Sequence, residues 1–190
     1  MVSIRSLRNV VLASVFSASA ASAQAGLLSN SATVNINATK QSSLTITINS
    51  GGTQTLASLT DGTTNDFTTP VNVTTAWDIN PSAGAVVLVG YFSTPAQALV
   101  SGADNIASSL VKARVGAVGA YNAFTGGVVN GGASSVGVAG GTLQFFSELI
   151  TGVNKNSSRT DDIYLQIDLT GNAVNAGTYS GTLNLRAITQ

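Results

Sequence analysis

The chain contains no cysteine and no histidine, and only 8% of its 190 residues are charged. Without a thiol or an imidazole it can form no disulfide, no Ser-His-Asp or Cys-His nucleophile, no Cys/His zinc site and no His-ligated iron or copper. Charge normally makes up about a quarter of a globular chain. Here eight basic and eight acidic residues balance to zero, which leaves no basic footprint for nucleic acid and little electrostatic steering. Beyond the first two dozen residues no run approaches the ~18 apolar positions of a membrane span. There is also no G-x-S-x-G elbow, Walker loop or G-x-G-x-x-G, so no cofactor is implied. What fills the composition instead is Ser, Thr, Asn and Gln beside Val and Ile, which suit pleated surfaces better than helices.

The N-terminus carries Arg5 and Arg8, then an apolar stretch from Val10 to Ala20, then Ala21-Ser22-Ala23 before Gln24. A short cationic start, an apolar run too short to cross a bilayer and small residues at alternate positions are the three parts of a secretory signal peptide. Residues 1–23 are therefore expected to be removed after Ala23, with Ala25 as the alternative, placing the protein outside the cytoplasm, secreted or at the cell surface. Loss of Arg5 and Arg8 leaves six basic against eight acidic residues, a net charge of −2. So nearly neutral a surface favours self-association. The remaining residues suit one domain, large enough to hold a core without disulfides.

Alternation of apolar and polar residues predicts strands with one buried face at Ala32, Val34, Ile36 and Ala38, at Leu44, Ile46 and Ile48, and at Val71, Val73, Thr75, Trp77 and Ile79. The same pattern recurs at Ile163, Leu165, Ile167 and Leu169, and at Tyr179, Gly181, Leu183, Leu185 and Ala187. Ala85 to Phe92 is apolar throughout and predicts a strand covered on both faces. Ser93-Thr94-Pro95 predicts a helical turn and no more. A further strand is expected between Ile106 and Val115, centred on Leu110 and Val111. Residues 116–141 hold nine glycines and read as a long excursion with short hairpin strands. With no long amphipathic helix to cover a parallel sheet, the fold class is all-β: an immunoglobulin-like antiparallel β-sandwich of about seven to nine strands over residues 41–190, preceded by an N-terminal extension at 24–40.

Candidate chemistry is sparse. Arg159, Asp161 and Asp162 form the densest charged group, and two carboxylates across a glycosidic bond could serve a glycosidase. The stronger reading has adjacent Asp residues pointing to opposite sides of a strand, with Arg159 as a partner. Asp61 to Asp66 supplies clustered oxygens but lacks the alternate acids and closing Glu of a calcium loop, so a polar turn is expected and no metal site. Trp77, the single tryptophan, could stack on a sugar ring; its shared parity with Val71, Val73 and Ile79 argues for the core.

Two stretches carry a family resemblance: Ser31-Ala32-Thr33-Val34-Asn35-Ile36-Asn37-Ala38-Thr39 and Asn175-Ala176-Gly177-Thr178-Tyr179-Ser180-Gly181-Thr182-Leu183-Asn184-Leu185. Together they resemble bacterial secreted pilin-like sandwiches, the fimbrial subunits of chaperone–usher systems and the spore coat U group. That resemblance implies an immunoglobulin-like fold, a secretion chaperone and assembly by strand donation, with Ala32, Val34, Ile36 and Ala38 as the donated apolar side chains. The expected function is a non-enzymatic structural or adhesive surface protein that self-associates through strand edges. The alternative is a carbohydrate-binding sandwich.

Overall fold

The computed structural model describes residues 31–132 and 134–190; the predicted signal peptide and the first part of the extension lie outside them. Contacts divide the chain into residues up to Thr39 and a unit from Lys40 to Gln190. In the first unit, residues 31–39 form no strand and are exposed throughout, Val34 at 81% and Ile36 at 86%. The strand with a buried face expected at Ala32 to Ala38 is thus not formed. Alternation supplies a face, but a strand also needs a neighbour for its backbone.

The second unit is all-β and antiparallel. Its larger sheet holds β1 (Ser43–Ser50), β2 (Thr64–Asp66), β3 (Val71–Asp78), β7 (Val111–Val115), β8 (Asn122–Ala123) and β12 (Asn156–Asp168), in the order β1-β3-β12-β7-β8, with β2 also on β12. The smaller sheet sets β4 (Ala85–Tyr91) between β11 (Thr142–Leu149) and β13 (Asn184–Thr189). Two ribbons, β5 (Leu99–Ser101) with β6 (Asp104–Ile106) and β9 (Val129–Gly131) with β10 (Ser134–Val136), stand apart. The nine strands of the two sheets match the expected seven to nine, and the ribbons are additional. Ile106 ends β6 and Leu110 lies in a 3-10 turn, so the single strand expected between Ile106 and Val115 is instead two elements with a turn between them.

Period-2 patterning explains the layering. Val71, Val73 and Trp77 of β3, Val111 and Ala113 of β7 and Ile163, Leu165 and Ile167 of β12 face Val86 and Leu88 of β4 and Phe146 of β11 in one core. A bulge between Gln144 and Phe146 lets consecutive phenylalanines address that core. The Phe145 ring occupies the space that a Cβ on Gly90 would fill, 2.6 Å away, and packs edge-on to Phe124.

The alternate residues of β4, Val87 and Val89, are equally buried in a second cluster with Ile188 and Val136. Here the glycine-rich excursion shows its purpose: the β9–β10 ribbon lies over the outer surface of the smaller sheet. Close approach makes this possible. A Cβ on Gly131 would stand 1.9 Å from the Thr189 carbonyl oxygen, so only glycine lets the ribbon backbone reach β13.

Candidate functional site

After β1 the chain turns at Gly51 and runs through Leu56 and Leu59 to the Asp61-Gly62 turn without forming a strand. Residues 175–183, of which 179–183 are predicted by the alternation as the first part of the last strand, are also outside any ladder; β13 begins only at Asn184. Over 52–59 no backbone group has a backbone partner among the described residues, and over 175–183 the pairing is a single bridge, Val100 with Ser180. Between these two unpaired segments lies a groove of about 930 Å³. Its apolar lining includes Leu56, Leu59, Val71, Leu165, Tyr179 and Leu183. The Tyr179 hydroxyl donates to the Asn175 carbonyl at 3.0 Å, and burial raises its pKa, followed by the charge of Asp104. This is an opening in the side of the sandwich, rimmed along 52–59 by N–H and C=O groups without backbone partners among the described residues and floored by core side chains. An extended segment with alternate apolar residues would complete both its ladder and its core.

Trp77 is 3% exposed and its Nε1–H donates to the Asn154 carbonyl at 2.7 Å. It lies in the core, as its shared parity with Val71, Val73 and Ile79 argued, and presents no ring face to a sugar. Arg159 grips Asp161 through Nε and Nη2 at 2.8–3.0 Å and lies over the Phe146 ring, 4.5 Å from its centroid. Asp161 faces the interior and Asp162 the exterior, as neighbours on a strand must, both within β12. Within the Asp61–Asp66 turn the two carboxylates serve different partners. Asp61 accepts from the Val174 N–H at 3.0 Å, and Asp66 accepts from Gln166 Nε2 at 2.8 Å. Asn65 closes the turn by accepting from the Thr60 N–H at 2.8 Å.

One constellation was not anticipated. On the outer surface of the larger sheet Arg114 of β7 lies opposite Tyr164 of β12, with its guanidinium carbon 5.4 Å from the Tyr164 ring centroid and 4.5 Å from that of Tyr121. The next row holds Asp66, Gln166 and Lys112 in register. Partial burial, then the Asp66 carboxylate, push the Tyr121 hydroxyl above its ordinary range, against the opposing pull of Arg114. Lys112, followed by Thr170, holds Asp168 well below the usual carboxylate range. The signal was available as the outward parity of Lys112/Arg114 and Tyr164/Gln166/Asp168, the complement of the apolar positions used to find the strands.

No protein-family model, curated protein or solved structure matches this chain.

Proposed function

We propose that the protein is an exported, non-enzymatic structural subunit of a cell surface, and that it self-associates by strand addition: the groove of one copy receives residues 24–40 of the next. The observation that carries this reading is the groove, floored by core side chains between walls of mixed polar and apolar residues and bounded along 52–59 by backbone without a backbone partner among the described residues. Such an edge is a template for another strand. The occupant is argued from the same chain. Residues 31–39 span about 30 Å when extended, enough to run the length of the eight-residue 52–59 rim. Their exposed Val34 and Ile36 share one parity with Ala32 and Ala38, while Thr33, Asn35 and Asn37 would face water. The signal-like N-terminus, the near-neutral surface and the pilin-like resemblance of both segments support the same assembly.

The test is light scattering on the chain from residue 24, on its Ile36→Asp variant and on the chain from residue 41. The first should form concentration-dependent polymers. Ile36→Asp, which places a charge against the core side chains of the groove floor, should weaken association by about a hundredfold, in line with several kcal/mol for burying an unpaired charge. Should the shortened chain fail to fold, a synthetic peptide of residues 24–40 added to the longer chain decides the matter, because it should cap polymers into short species. A monomer in the presence of residues 24–40, unaffected by the peptide, overturns the reading.

A further inference from the structure

Beyond residue 23 the chain holds six basic residues, Lys40, Lys112, Arg114, Lys155, Arg159 and Arg186, and their backbones are not equivalent. Lys112 and Arg114 lie within β7, Arg159 within β12 and Arg186 within β13, each locked in a ladder. Lys155 is exposed, but its carbonyl accepts from the Ile79 N–H at 2.8 Å. The turn before it is tied by Asn154, which accepts from the Thr151 N–H at 2.7 Å and donates to the Leu149 carbonyl at 3.0 Å. Lys40 alone stands on open chain. Residues 31–42 form no strand or turn and are exposed throughout, and none of their backbone groups has a backbone partner among the described residues. Lys40 Nζ meets Asp78 at 2.6 Å with 72% of the lysine side chain exposed, and a pair so exposed restrains the chain little.

A protease takes its substrate as several residues of extended, unpaired backbone, so nicking follows burial and hydrogen bonding and not sequence alone. A specificity pocket that carries a carboxylate selects a lysine or arginine side chain. Both requirements meet at Lys40 and, among the described residues, at no other basic position. Residues 9–39 contain no charged residue at all, so a cut after Lys40 frees the extension in one piece. We infer that the Lys40–Gln41 bond is a processing site for a lysine-selective serine-type protease, and that cutting it is an assembly switch. Water adds across the amide: its oxygen enters a carboxylate on Lys40, the Gln41 nitrogen leaves as an ammonium, and nothing is oxidised or reduced. The switch, unlike the cleavage site, rests on the strand-addition reading. On that reading one cut has two effects. The unit from Gln41 keeps its groove but has lost its strand, so it accepts and no longer donates. The released residues 24–40 are a free donor strand that competes for vacant grooves. A subunit whose extension already lies in a neighbour is spared, because residues 37–39 are then paired and cannot enter a protease cleft.

The experiment is limited digestion by trypsin of the chain from residue 24, dilute and then polymerised, with light scattering before protease is added and intact mass and N-terminal sequencing after. The first cut should leave one product that begins at Gln41, with residues 24–40 released whole. Lys40→Gln should delay the first cut at least about tenfold, since every remaining basic residue must await local opening of its ladder or turn. Polymerised chain should be cut at Lys40 at least about tenfold more slowly than dilute chain, by the same need for unpaired backbone. The product from Gln41, made from protein that is already folded, should stay monomeric and bind a synthetic peptide of residues 24–40. A first cut at Lys155 or any other basic residue, Lys40→Gln digested at the parent's rate, or equal rates in dilute and polymerised chain would each overturn the inference. Failure of strand addition itself looks different: the chain scatters as a monomer before any protease is added, or the product from Gln41 polymerises like its parent. Either result removes the switch, whereas the position of the first cut is read independently of it.

Discussion

Thr75 sits at a position where sequence parity demanded an apolar residue, and its environment shows the cost. It is 1% exposed, and its hydroxyl has no hydrogen-bond partner. Replacing a buried, unpaired hydroxyl with a methyl of the same shape removes a desolvation penalty. Thr75→Val should therefore stabilise the fold by about 1 kcal/mol, read as a higher urea midpoint with an unchanged slope. Asp168 makes the opposite prediction. Its carboxyl is held below its ordinary range by Lys112 and then by Thr170, so it binds its proton less readily in the folded chain than in the unfolded one. That contribution is present above the ordinary carboxylate range and is lost as pH falls toward the depressed value. The stability gap between the parent and Asp168→Asn should be constant at neutral pH and close as the pH drops below roughly 4, measured by denaturation across the pH series. A gap that widened on acidification would contradict the ion pair.

Strands whose one side meets the core were legible from residues alone: β3 and the second half of β12 follow their alternation, and β1 does so at Leu44 and Ile46 but not at Ile48, which is half exposed. The uninterrupted apolar run of β4 correctly announced two covered faces. Elements whose partners are remote were not legible. The first half of β12 is polar on both sides because Arg159 and Asp161 satisfy one another inward, and no periodicity marks a salt bridge. The stretches at 32–38 and 179–183 alternate like strands, yet the first is unpaired and the second has only the Ser180 bridge, since parity records which side is greasy and says nothing of who lies alongside. The β9–β10 ribbon is a short hairpin of the kind expected within the glycine-rich excursion; its docking on the smaller sheet was not legible, because glycines carry no side-chain signal of close approach. One of them is a fit: Gly131→Val would drive a side chain into Thr189 and Ile188. The expected result is undocking of the ribbon, a loss of about 2 kcal/mol in line with a core clash, stronger binding of a hydrophobic dye and faster amide exchange in β9, β10 and β13, with the larger sheet unaffected.

Taken whole, the unit is a sandwich with one side left open, so its stability should depend on what fills it. A peptide of residues 24–40 at a hundred times its dissociation constant should raise unfolding free energy by about 2.7 kcal/mol through linkage, visible as a rise in melting temperature that Val34→Asp in the peptide abolishes. The connectivity also imposes an order in time. The central strand of the smaller sheet, β4, has Val86, Val87, Leu88 and Val89 fully buried, but its two neighbours are β11 and β13, and the latter is made of the last residues of the chain, with Gln190 bonding back to Ala85. A ribosome or a translocation channel delivers β4 about a hundred residues before its final partner. Throughout that interval the most aggregation-prone strand of the molecule has nothing to shield it, and a holding factor acting during emergence of the nascent polypeptide would have its natural target there.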